Sequence, residues 1–472
     1  MTPEEFREAG HALIDWIADY RNRIPELPVG AQVKPGEVRA ALGVDPPTVP
    51  EPFAALLADL DRVIVPGVTL TQHPRFFGWF PSNATLSSVL GDIASSGIAA
   101  LGITWQSAPA LTELEEACCD WLRELCGLSP QWKGSIQDTA STAALVAMLC
   151  ARERASDHAQ TRGGLRDVAP LCVYASPHAH SSVTKAALLA GFGQHHLRFV
   201  EVDPVTYAIR PESLAAAMQA DVAAGLRPAA IVASCGTTGT NAFDPLPELV
   251  ELARTHGAWL HVDAAMAGAA MLLEEERWRF EGIDGADSLS WNPHKWIGTI
   301  LDTSLFYVRD PQHLIRVMST NPSYLRSAVD DEVTQLKDWG IPLGRRFRSL
   351  KLWFQLRLDG LESIKARLRR DLANAHWLAE QVAATPGWTV LAPMQLQTVC
   401  LRHEPAGMSD EEIDAHTQRW AGELNASGVA FVTPAMLDGR WMVRVSVGAE
   451  HTEAADVAAG WEAIRAAAAA SC

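Results

Sequence analysis

Two short segments in the middle of this chain carry residue types that suit covalent chemistry. Asn292-Pro293-His294-Lys295-Trp296 holds a lysine amine between aromatic side chains, and His261-Val262-Asp263 ends in a carboxylate. Pyridoxal phosphate needs an amine that holds its aldehyde as a Schiff base and a carboxylate that keeps its ring nitrogen protonated. We therefore predict that Lys295 and Asp263 bind this cofactor. A surface lysine is the alternative interpretation of Lys295.

The residues around both groups predict strands that end at the site. Trp259 to Val262 is a short, mostly apolar run before Asp263, and Ser288 to Trp291 leads directly into the lysine segment. Such runs are typical of buried parallel strands, and ligands bind at the carboxyl ends of such strands in open α/β sheets. A helix N-cap is the alternative role for Asp263. Small residues that would let a flat ring approach the backbone follow it: Ala264, Ala265, Ala267 and Gly268.

A third segment predicts an imidazole near the cofactor ring. The strand-like run Leu171 to Tyr174 leads into Ser176-Pro177-His178-Ala179-His180-Ser181-Ser182. A histidine in this position could stack on the ring and later move protons. The spacing of His178 and His180 also occurs in metal sites, but we find no third and fourth ligand, so we expect no metal.

Two polar loops are candidates for contacts to a phosphate and to the ring. Ile136 to Thr142 contains hydroxyls immediately before the helical run Ala143 to Leu149, and a helix start offers free backbone N–H groups. A plain Ser/Thr helix cap explains the same residues equally well. Gly236-Thr237-Thr238-Gly239 follows the buried run Ala230 to Ala233, and neither loop has a nucleotide-binding glycine pattern.

In this order, the motifs resemble those of the pyridoxal-phosphate-dependent aromatic-L-amino-acid decarboxylases, the group II decarboxylases. The similarity extends from Thr2-Pro3-Glu4-Glu5-Phe6 to Trp441-Met442-Val443-Arg444-Val445, and several motifs in sequence are more specific than any one alone. The motifs that carry the resemblance are TAS, HAHSSV, GTTGT, HVDAAMAG, NPHKW and PLGRRFRSLKLW.

The resemblance implies a role for each matching residue. Lys295 would be the Schiff-base lysine, Asp263 would pair with the ring nitrogen, and His180 would stack on the ring. The other positions implied around the cofactor are Thr139, Ala140, Ser141, Asn292 and His294 at the phosphate, with Thr238 and Ala265 near the ring. The implied substrate-pocket residues are Trp79, Phe80, Pro81 and Ser82, with Leu101 and Ile103 reaching across from a partner subunit.

The chain departs from the family pattern at four positions. Members often carry Tyr where Trp79 and Met266 stand, and Phe where Ile103 stands, which puts the choice of substrate in doubt. Leu336, in Gln335-Leu336-Lys337-Asp338-Trp339, stands where many members have a mobile-loop tyrosine that donates a proton. Tyr324 offers another hydroxyl in the same region, but a loop tyrosine is more often a surface or packing residue.

The resemblance implies decarboxylation of an aromatic L-amino acid, with dopa, tyrosine, phenylalanine, tryptophan and 5-hydroxytryptophan as candidate substrates. The main alternative is an aromatic aldehyde synthase, which consumes oxygen and releases aldehyde, ammonia and peroxide. Such relatives tend to differ from decarboxylases at the loop tyrosine or at the stacking histidine. This chain keeps His180, which favours a decarboxylase, and lacks the tyrosine, which favours an aldehyde synthase.

Composition limits the partners and the compartment. The formal net charge of −17 disfavours nucleic acid and anionic membranes as partners, and no long apolar stretch predicts a membrane span. Eight scattered cysteines without a CxxC pair are typical of reduced thiols, and the N-terminus has no secretion signal pattern. We therefore expect a cytoplasmic enzyme.

The pattern along the chain predicts an α/β protein of the fold-type I class of pyridoxal phosphate enzymes, with three domains. Residues 1–85 form an N-terminal helical dimerisation arm, in which Thr2 and Glu5 make a capping box. Residues 86–345 alternate short apolar runs with helices, which predicts a mostly parallel sheet that binds the cofactor. Residues 346–472 form a small α+β C-terminal domain. We expect a homodimer in which the arm packs on the second subunit.

Overall fold

The computed structural model describes residues 1–43, 45–320 and 332–471. The chain divides into two compact units. The larger unit comprises Ser82–Leu372 and Ala392–Thr398, and the smaller unit comprises Met1–Pro81, Ala373–Leu391 and Val399–Cys472.

A seven-stranded sheet is the centre of the larger unit. Its strands are β1 (Lys133–Gln137), β2 (Leu171–Ala175), β3 (Leu197–Phe199), β4 (Arg227–Ser234), β5 (Trp259–Asp263), β6 (Ser288–Trp291) and β7 (Ser304–Val308). They lie in the order β1-β7-β6-β5-β4-β2-β3. The pairs from β3 to β6 are parallel, and β7 is antiparallel to both of its neighbours. The predicted mostly parallel α/β sheet is confirmed.

Helices of the larger unit cover this sheet. They are α4 (Leu86–Ile98), α5 (Pro109–Leu125), α6 (Ala140–Ala155), α7 (Ser181–Leu189), α8 (Pro211–Ala223), α9 (Leu246–His256), α10 (Pro311–Met318) and α11 (Ser349–Leu358), with the first half of α12 (Leu361–Ala384). The α6 helix packs on β4 to β7 beside α7 and α10, while α8 and α9 pack together on β4. Strands β2, β5 and β7 are buried at every position, as expected for a sheet covered on both faces.

The smaller unit combines a helical N-terminal segment with a four-stranded sheet. Its helices are α1 (Pro3–Arg23), α2 (Glu37–Ala41), α3 (Phe53–Asp59), the second half of α12, α13 (Asp410–Ser427) and α14 (Ala454–Ala470). Its strands are β8 (Trp388–Val390), β9 (Thr398–His403), β10 (Thr433–Leu437) and β11 (Arg440–Ser446), in the order β10-β11-β9-β8. The predicted capping box at Thr2 and Glu5 is present.

The division into units differs from the predicted domain boundaries in two respects. Residues 346–372 belong with the large sheet, because α11 packs along α4 so closely that a Cβ on Gly91 would lie 2.5 Å from the Lys351 Cα. The N-terminal segment groups with the C-terminal strands, since Phe77 N–H donates to Phe431 O (2.8 Å) and Ser446 N–H to Phe77 O (2.9 Å). A separate dimerisation arm in residues 1–85 stays a prediction.

The exposure of strand β11 differs from the sequence prediction. The alternating pattern at Trp441 to Val447 predicts a half-exposed strand, but β11 is buried at every position from Met442 to Ser446. The reason is that α13 packs on this strand and the Phe80 ring lies 5.0 Å from the Arg444 guanidinium. The predicted helix break at Gly360 is confirmed, because this glycine separates α11 from α12 with φ +74°.

Candidate active site

The sheet topology brings the predicted site segments to one edge. Strands β2, β4, β5 and β6 are parallel, so the segments that follow them start from the same edge of the sheet. The β1 strand joins this set because it pairs antiparallel with β7, which is itself antiparallel to β6. The segments that contain Thr139, His180, Thr238, Asp263 and Lys295 therefore begin side by side.

Asp263 is the last residue of β5 and lies between Ser234 of β4 and Ser290 of β6. It is 9% exposed, and its carboxylate accepts a hydrogen bond from Ala265 N–H (3.0 Å). The next helical turn starts at Ala267 with Met266 as its N-cap, so the alternative of a capping role for Asp263 is wrong. Among the described residues this carboxylate forms no ion pair. A nearly buried carboxylate of this kind suits a cationic partner such as a protonated pyridine ring.

Lys295 lies in a tight turn after β6. Its N–H donates to Asn292 O (3.0 Å), and Pro293 O accepts from the N–H groups of Gly298 and Thr299 (both 3.1 Å). Asn292 N–H donates to Ala265 O (2.9 Å), which joins the lysine turn to the segment after Asp263. Lys295 is half-buried between buried neighbours, so the alternative of a surface lysine does not describe its surroundings.

Two helices hold the lysine turn through buried polar contacts that the sequence did not predict. Trp296 is fully buried, and its indole N–H donates to the carboxylate of Asp371 on α12 (2.9 Å). Ile297 O accepts from Gln355 on α11 (2.5 Å) and from Arg367 on α12. These residues are 58 or more positions from the turn, and no local pattern links them to it.

His294 is held as a neutral imidazole. Its Nδ1 accepts a hydrogen bond from Thr303 N–H (3.0 Å), so the ring proton belongs on Nε2. Burial, followed by the Lys295 ammonium, lowers the pKa of His294 to about 3. A neutral imidazole with its remaining N–H on Nε2 is a fixed hydrogen-bond donor at any ordinary pH.

His180 stands at the N-cap of α7, with its ring exposed in the single chain. Its Nδ1 accepts from Ser182 N–H (3.2 Å) and lies 2.7 Å from Ser182 Oγ. Although His180 is exposed as a residue, partial burial of its imidazole lowers its pKa. The Asp263 carboxylate opposes that change, and the Lys295 ammonium adds to it. The Asp263 carboxylate and the Lys295 ammonium are therefore both close enough to His180 to affect its protonation.

The start of α6 offers unpaired backbone donors. Thr139 is the N-cap residue, but its side chain makes no capping hydrogen bond, so a plain Thr cap is wrong for this position. The first N–H groups of the helix, on Ala140, Ser141 and Thr142, have no partner within the helix. Thr139 and Ala140 are half-buried and Ser141 is exposed, so this terminus is accessible to an anion.

The loop after β4 is built around Thr237 rather than Thr238. Thr237 Oγ1 lies 3.0 Å from Thr240 Oγ1 and accepts from Ala242 N–H (3.0 Å), whereas Thr238 is half-buried. Gly236 has φ +86°, and a Cβ there would lie 2.6 Å from the Ala267 Cβ.

The small residues after Asp263 are explained mainly by packing. A Cβ on Gly268 would lie 2.3 Å from the Trp291 Cβ, and Ala267 faces Gly236. Ala264 and Ala267 are buried, while Ala265 is partly exposed. The predicted approach of a flat ring therefore applies to Ala265 alone.

The predicted substrate segments are divided between the two units. Trp79, Phe80 and Pro81 belong to the smaller unit, where Trp79 is 51% exposed, has φ +49° and makes edge contacts with Phe76 and Phe431. The chain after Ser82 reaches the lysine turn, because Thr85 N–H donates to Gly298 O (2.9 Å).

Leu101 is exposed and Ile103 half-buried, on either side of Gly102, whose N–H donates to Arg345 O (3.0 Å). Met266, one of the departures from the family pattern, is only 1% exposed, and its sulfur accepts from the Gln397 amide (3.1 Å). Contacts of Leu101 and Ile103 with a substrate stay predictions.

Leu336 lies in the short turn Leu336–Asp338 and is 3% exposed. It belongs to a buried apolar cluster that also contains Leu111, Phe347 and Leu350. Its segment is further held by Gln335, whose side chain accepts from Trp105 N–H (2.9 Å). Tyr324 lies outside the described residues.

In the part of the chain that the structure describes, no group of three or more His, Cys, Asp or Glu residues could hold a metal ion. No helix in residues 1–43, 45–320 and 332–471 is long and apolar enough to cross a membrane.

The fold and the site together define a class of enzyme. A mostly parallel sheet with a lysine and a carboxylate after adjacent strands, and a helix start free to hold a phosphate, is the arrangement that pyridoxal phosphate requires. The matching family model is the pyridoxal-dependent decarboxylase conserved domain, over residues 35–404. The chain belongs to this family of pyridoxal-phosphate-dependent carboxy-lyases.

Similar proteins cover nearly the whole chain. Tryptophan decarboxylase 2 of Oryza sativa subsp. japonica is 37% identical over 98% of this chain and 95% of its own length. Phenylacetaldehyde synthase of Arabidopsis thaliana is 38% identical over 98% of this chain and 96% of its own length. The crystal structure of Oryza sativa TDC with PLP and tryptamine superimposes with a TM-score of 0.96 at 35% identity, covering 100% of this chain and 99% of that one. The predicted family, fold class and cofactor are confirmed.

Proposed function

We propose that this enzyme decarboxylates aromatic L-amino acids to the corresponding amines and CO₂. The observation that carries the proposal is the position of Asp263 at the end of β5 and of Lys295 in the turn after β6, its parallel neighbour, with His180 at the start of α7. Similarity to a tryptophan decarboxylase supports an aromatic substrate. The apolar character of the Trp79-Phe80-Pro81 segment agrees with it.

The cofactor supplies the aldehyde that the amine attacks and a protonated ring that stabilises negative charge at the substrate Cα. Lys295 would hold the aldehyde of the bound cofactor, and the Asp263 carboxylate would keep its ring nitrogen protonated. His180, exposed at the start of α7, would stack on the ring.

The phosphate is held by the free N–H groups at the start of α6, with the Thr139 and Ser141 hydroxyls. Ala140 contributes its backbone N–H to the same group. Asn292 and the Nε2–H of His294 complete the phosphate site, while Thr238 and Ala265 contact the ring. The neutral state of His294 supports its role, because Nε2 then donates to an anion at all working pH values.

After CO₂ leaves, a proton must reach the substrate Cα. Leu336 has no hydroxyl to donate, so the donors available are His180, the Lys295 amine or a water held by either. Trp79, Phe80, Pro81, Ser82, Leu101 and Ile103 would contact the substrate. The apolar side chains among them would keep water away from the carboxylate that is lost.

A second candidate is an aromatic aldehyde synthase. The absence of a tyrosine at Leu336 favours it, and a phenylacetaldehyde synthase is among the similar proteins. The retained His180 favours the decarboxylase. The test is to incubate the holoenzyme with dopa, tyrosine, phenylalanine, tryptophan and 5-hydroxytryptophan, measuring CO₂, amine and peroxide. Equal CO₂ and amine support the decarboxylase, aldehyde with peroxide supports the second candidate, and no CO₂ from any of them contradicts both.

The active unit is a homodimer in this proposal. One face of α4 leaves Leu86, Leu90 and Ile93 exposed at helical spacing, while the opposite face packs on α11. Helix α1 has no buried residue, although Phe6 and Ile14 are apolar. An exposed apolar surface of this extent is typical of an interface. A second copy of the chain is the partner, because the resemblance assigns Leu101 and Ile103 to a neighbouring subunit's pocket.

The cytoplasm is the proposed compartment. Seven cysteines in the described part of the chain are buried and free, which supports a reducing environment.

A further inference from the structure

Ser182 presents two different polar groups to a single ring nitrogen. Its backbone N–H donates to His180 Nδ1 (3.2 Å), and its hydroxyl oxygen lies 2.7 Å from the same atom. Ser182 is 6% exposed, whereas Ser181 beside it is exposed. The first turn of α7 fixes this geometry, because His180 is the N-cap and Ser182 the second residue of the helix.

The hydrogen bond from the Ser182 N–H fixes which tautomer the neutral His180 ring adopts. An N–H donor aimed at Nδ1 requires a lone pair there, so the single proton of neutral His180 is on Nε2. The protonated ring carries hydrogens on both nitrogens, and its Nδ1–H would then face the Ser182 N–H. Among the described residues, Ser182 Oγ is the acceptor that lies within reach of Nδ1.

A serine hydroxyl can serve both states. It donates to Nδ1 when the ring is neutral and, after rotating, accepts from Nδ1–H when the ring is charged. We propose that Ser182 is a positioning residue for proton transfer, whose hydroxyl allows His180 to hold the second proton that Nε2 delivers to the substrate Cα. This inference rests on the proposed decarboxylation. The Nε2–H bond breaks as the Cα–H bond forms, which leaves a neutral ring whose remaining proton is on Nδ1 and is still donated to Ser182 Oγ. Release of that proton to solvent and uptake of another at Nε2 then restore the resting tautomer, in which the Ser182 hydroxyl donates to Nδ1.

The groups around His180 make its protonated form depend on the Ser182 hydrogen bond. Asp263, at the end of β5, favours the charged ring, while burial and Lys295, in the turn after β6, oppose it. Because the pKa of His180 is lowered, the charged ring is the minor form near neutral pH. Its population is then sensitive to the loss of one acceptor.

The experiment titrates the His180 ring by NMR in histidine-labelled protein, with and without pyridoxal phosphate, using His180→Gln to assign the signal. The variants are Ser182→Ala, which removes the acceptor, and Ser182→Thr, which restores a hydroxyl. Ser181→Ala is the matched control, since it removes a neighbouring serine of the same helix turn. We expect Ser182→Ala to move the His180 midpoint down by about one pH unit, and the other two to stay near wild type.

A second readout is the pH dependence of amine formation. A protonated donor is lost as pH rises through the His180 pKa, so the falling limb of the profile should move to lower pH by the same amount in Ser182→Ala. An unchanged His180 midpoint in Ser182→Ala, or an equal change in Ser181→Ala, overturns the proposal. If the wild type forms no amine, the proposed function fails, while the titration without substrate still decides whether Ser182 supports the charged ring. Should Ser182→Ala fail to fold, Ser182→Cys, with its weak acceptor, replaces it.

Discussion

At the scale of single residues, the positions of Asp263 and Lys295 could be predicted, because Asp263 ends one strand and Lys295 lies in the turn after the next. The apolar runs before Asp263 and Asn292 indicate strands, and parallel strands end at a common edge. Their spatial relation therefore follows from the sequence alone. The packing role of the small residues after Asp263 could not be predicted from the sequence, because Gly268 contacts Trp291, which lies on the separate strand β6.

Leu336 is the residue whose substitution separates the two candidate activities. We predict that Leu336→Tyr raises the amine formed per CO₂ and lowers oxygen uptake. The reason is that movement of this segment from its buried position to the site during turnover would bring a hydroxyl that offers a proton for Cα. Leu336→Phe is the matched control, since it adds the same ring without the hydroxyl. The measurement combines an oxygen electrode with amine and CO₂ quantitation.

The buried position of Leu336 adds a stability effect to this experiment. Both aromatic variants must fit a larger ring into the cluster with Leu111 and Phe347, so both should lower the free energy of unfolding by about 1–3 kcal/mol. Equal ratios of amine to CO₂ in wild type, Leu336→Tyr and Leu336→Phe would remove Leu336 from the mechanism.

At the scale of elements, the contacts that fix the lysine turn come from helices far along the chain. Gln355 of α11 and Asp371 of α12 hold the turn through buried hydrogen bonds. Both side chains are buried, and both lie on helices whose sequence pattern only alternates charged and apolar residues. No spacing rule connects them to Lys295, so the sequence predicted the helices but not the anchors.

The Trp296–Asp371 hydrogen bond is expected to affect both stability and cofactor binding. We predict that Trp296→Phe lowers the free energy of unfolding by about 1–3 kcal/mol, because the buried carboxylate of Asp371 loses its indole donor. Pyridoxal phosphate should also bind more weakly, since Trp296 follows Lys295 directly. Thermal unfolding of the cofactor-free protein and titration with the cofactor measure the two effects. Trp278→Phe, at an exposed tryptophan, is the control.

Comparing the change in stability with the change in cofactor affinity shows whether the Trp296–Asp371 hydrogen bond positions the lysine turn. A lower unfolding temperature with unchanged cofactor affinity would show that the bond stabilises the fold without positioning the lysine turn.

At the scale of the whole molecule, the exposed face of α4 predicts assembly. We expect Leu90→Glu combined with Ile93→Glu to give a folded monomer with little activity, because charges in an apolar interface of more than about 2,000 Å² prevent association. Sedimentation and amine formation at micromolar concentration measure both properties. Val222→Glu is the control, since it places the same charge at an exposed apolar position on α8.

The outcome also tests the assignment of Leu101 and Ile103 to a partner's pocket. A monomeric variant with full activity would show that each chain completes its own site. A dimer that survives both glutamates would place the interface elsewhere on the molecule.

The rate of CO₂ release by Lys295→Ala tests the central claim most directly. Wild type, Lys295→Ala and Lys185→Ala, an exposed-lysine control on α7, are incubated with carboxyl-labelled aromatic amino acids after each is shown to be folded. We predict that Lys185→Ala matches wild type and that Lys295→Ala releases CO₂ at least about a thousandfold more slowly, because covalent activation and positioned proton transfer are both lost. Decarboxylation by Lys295→Ala at a rate near that of wild type would contradict the account.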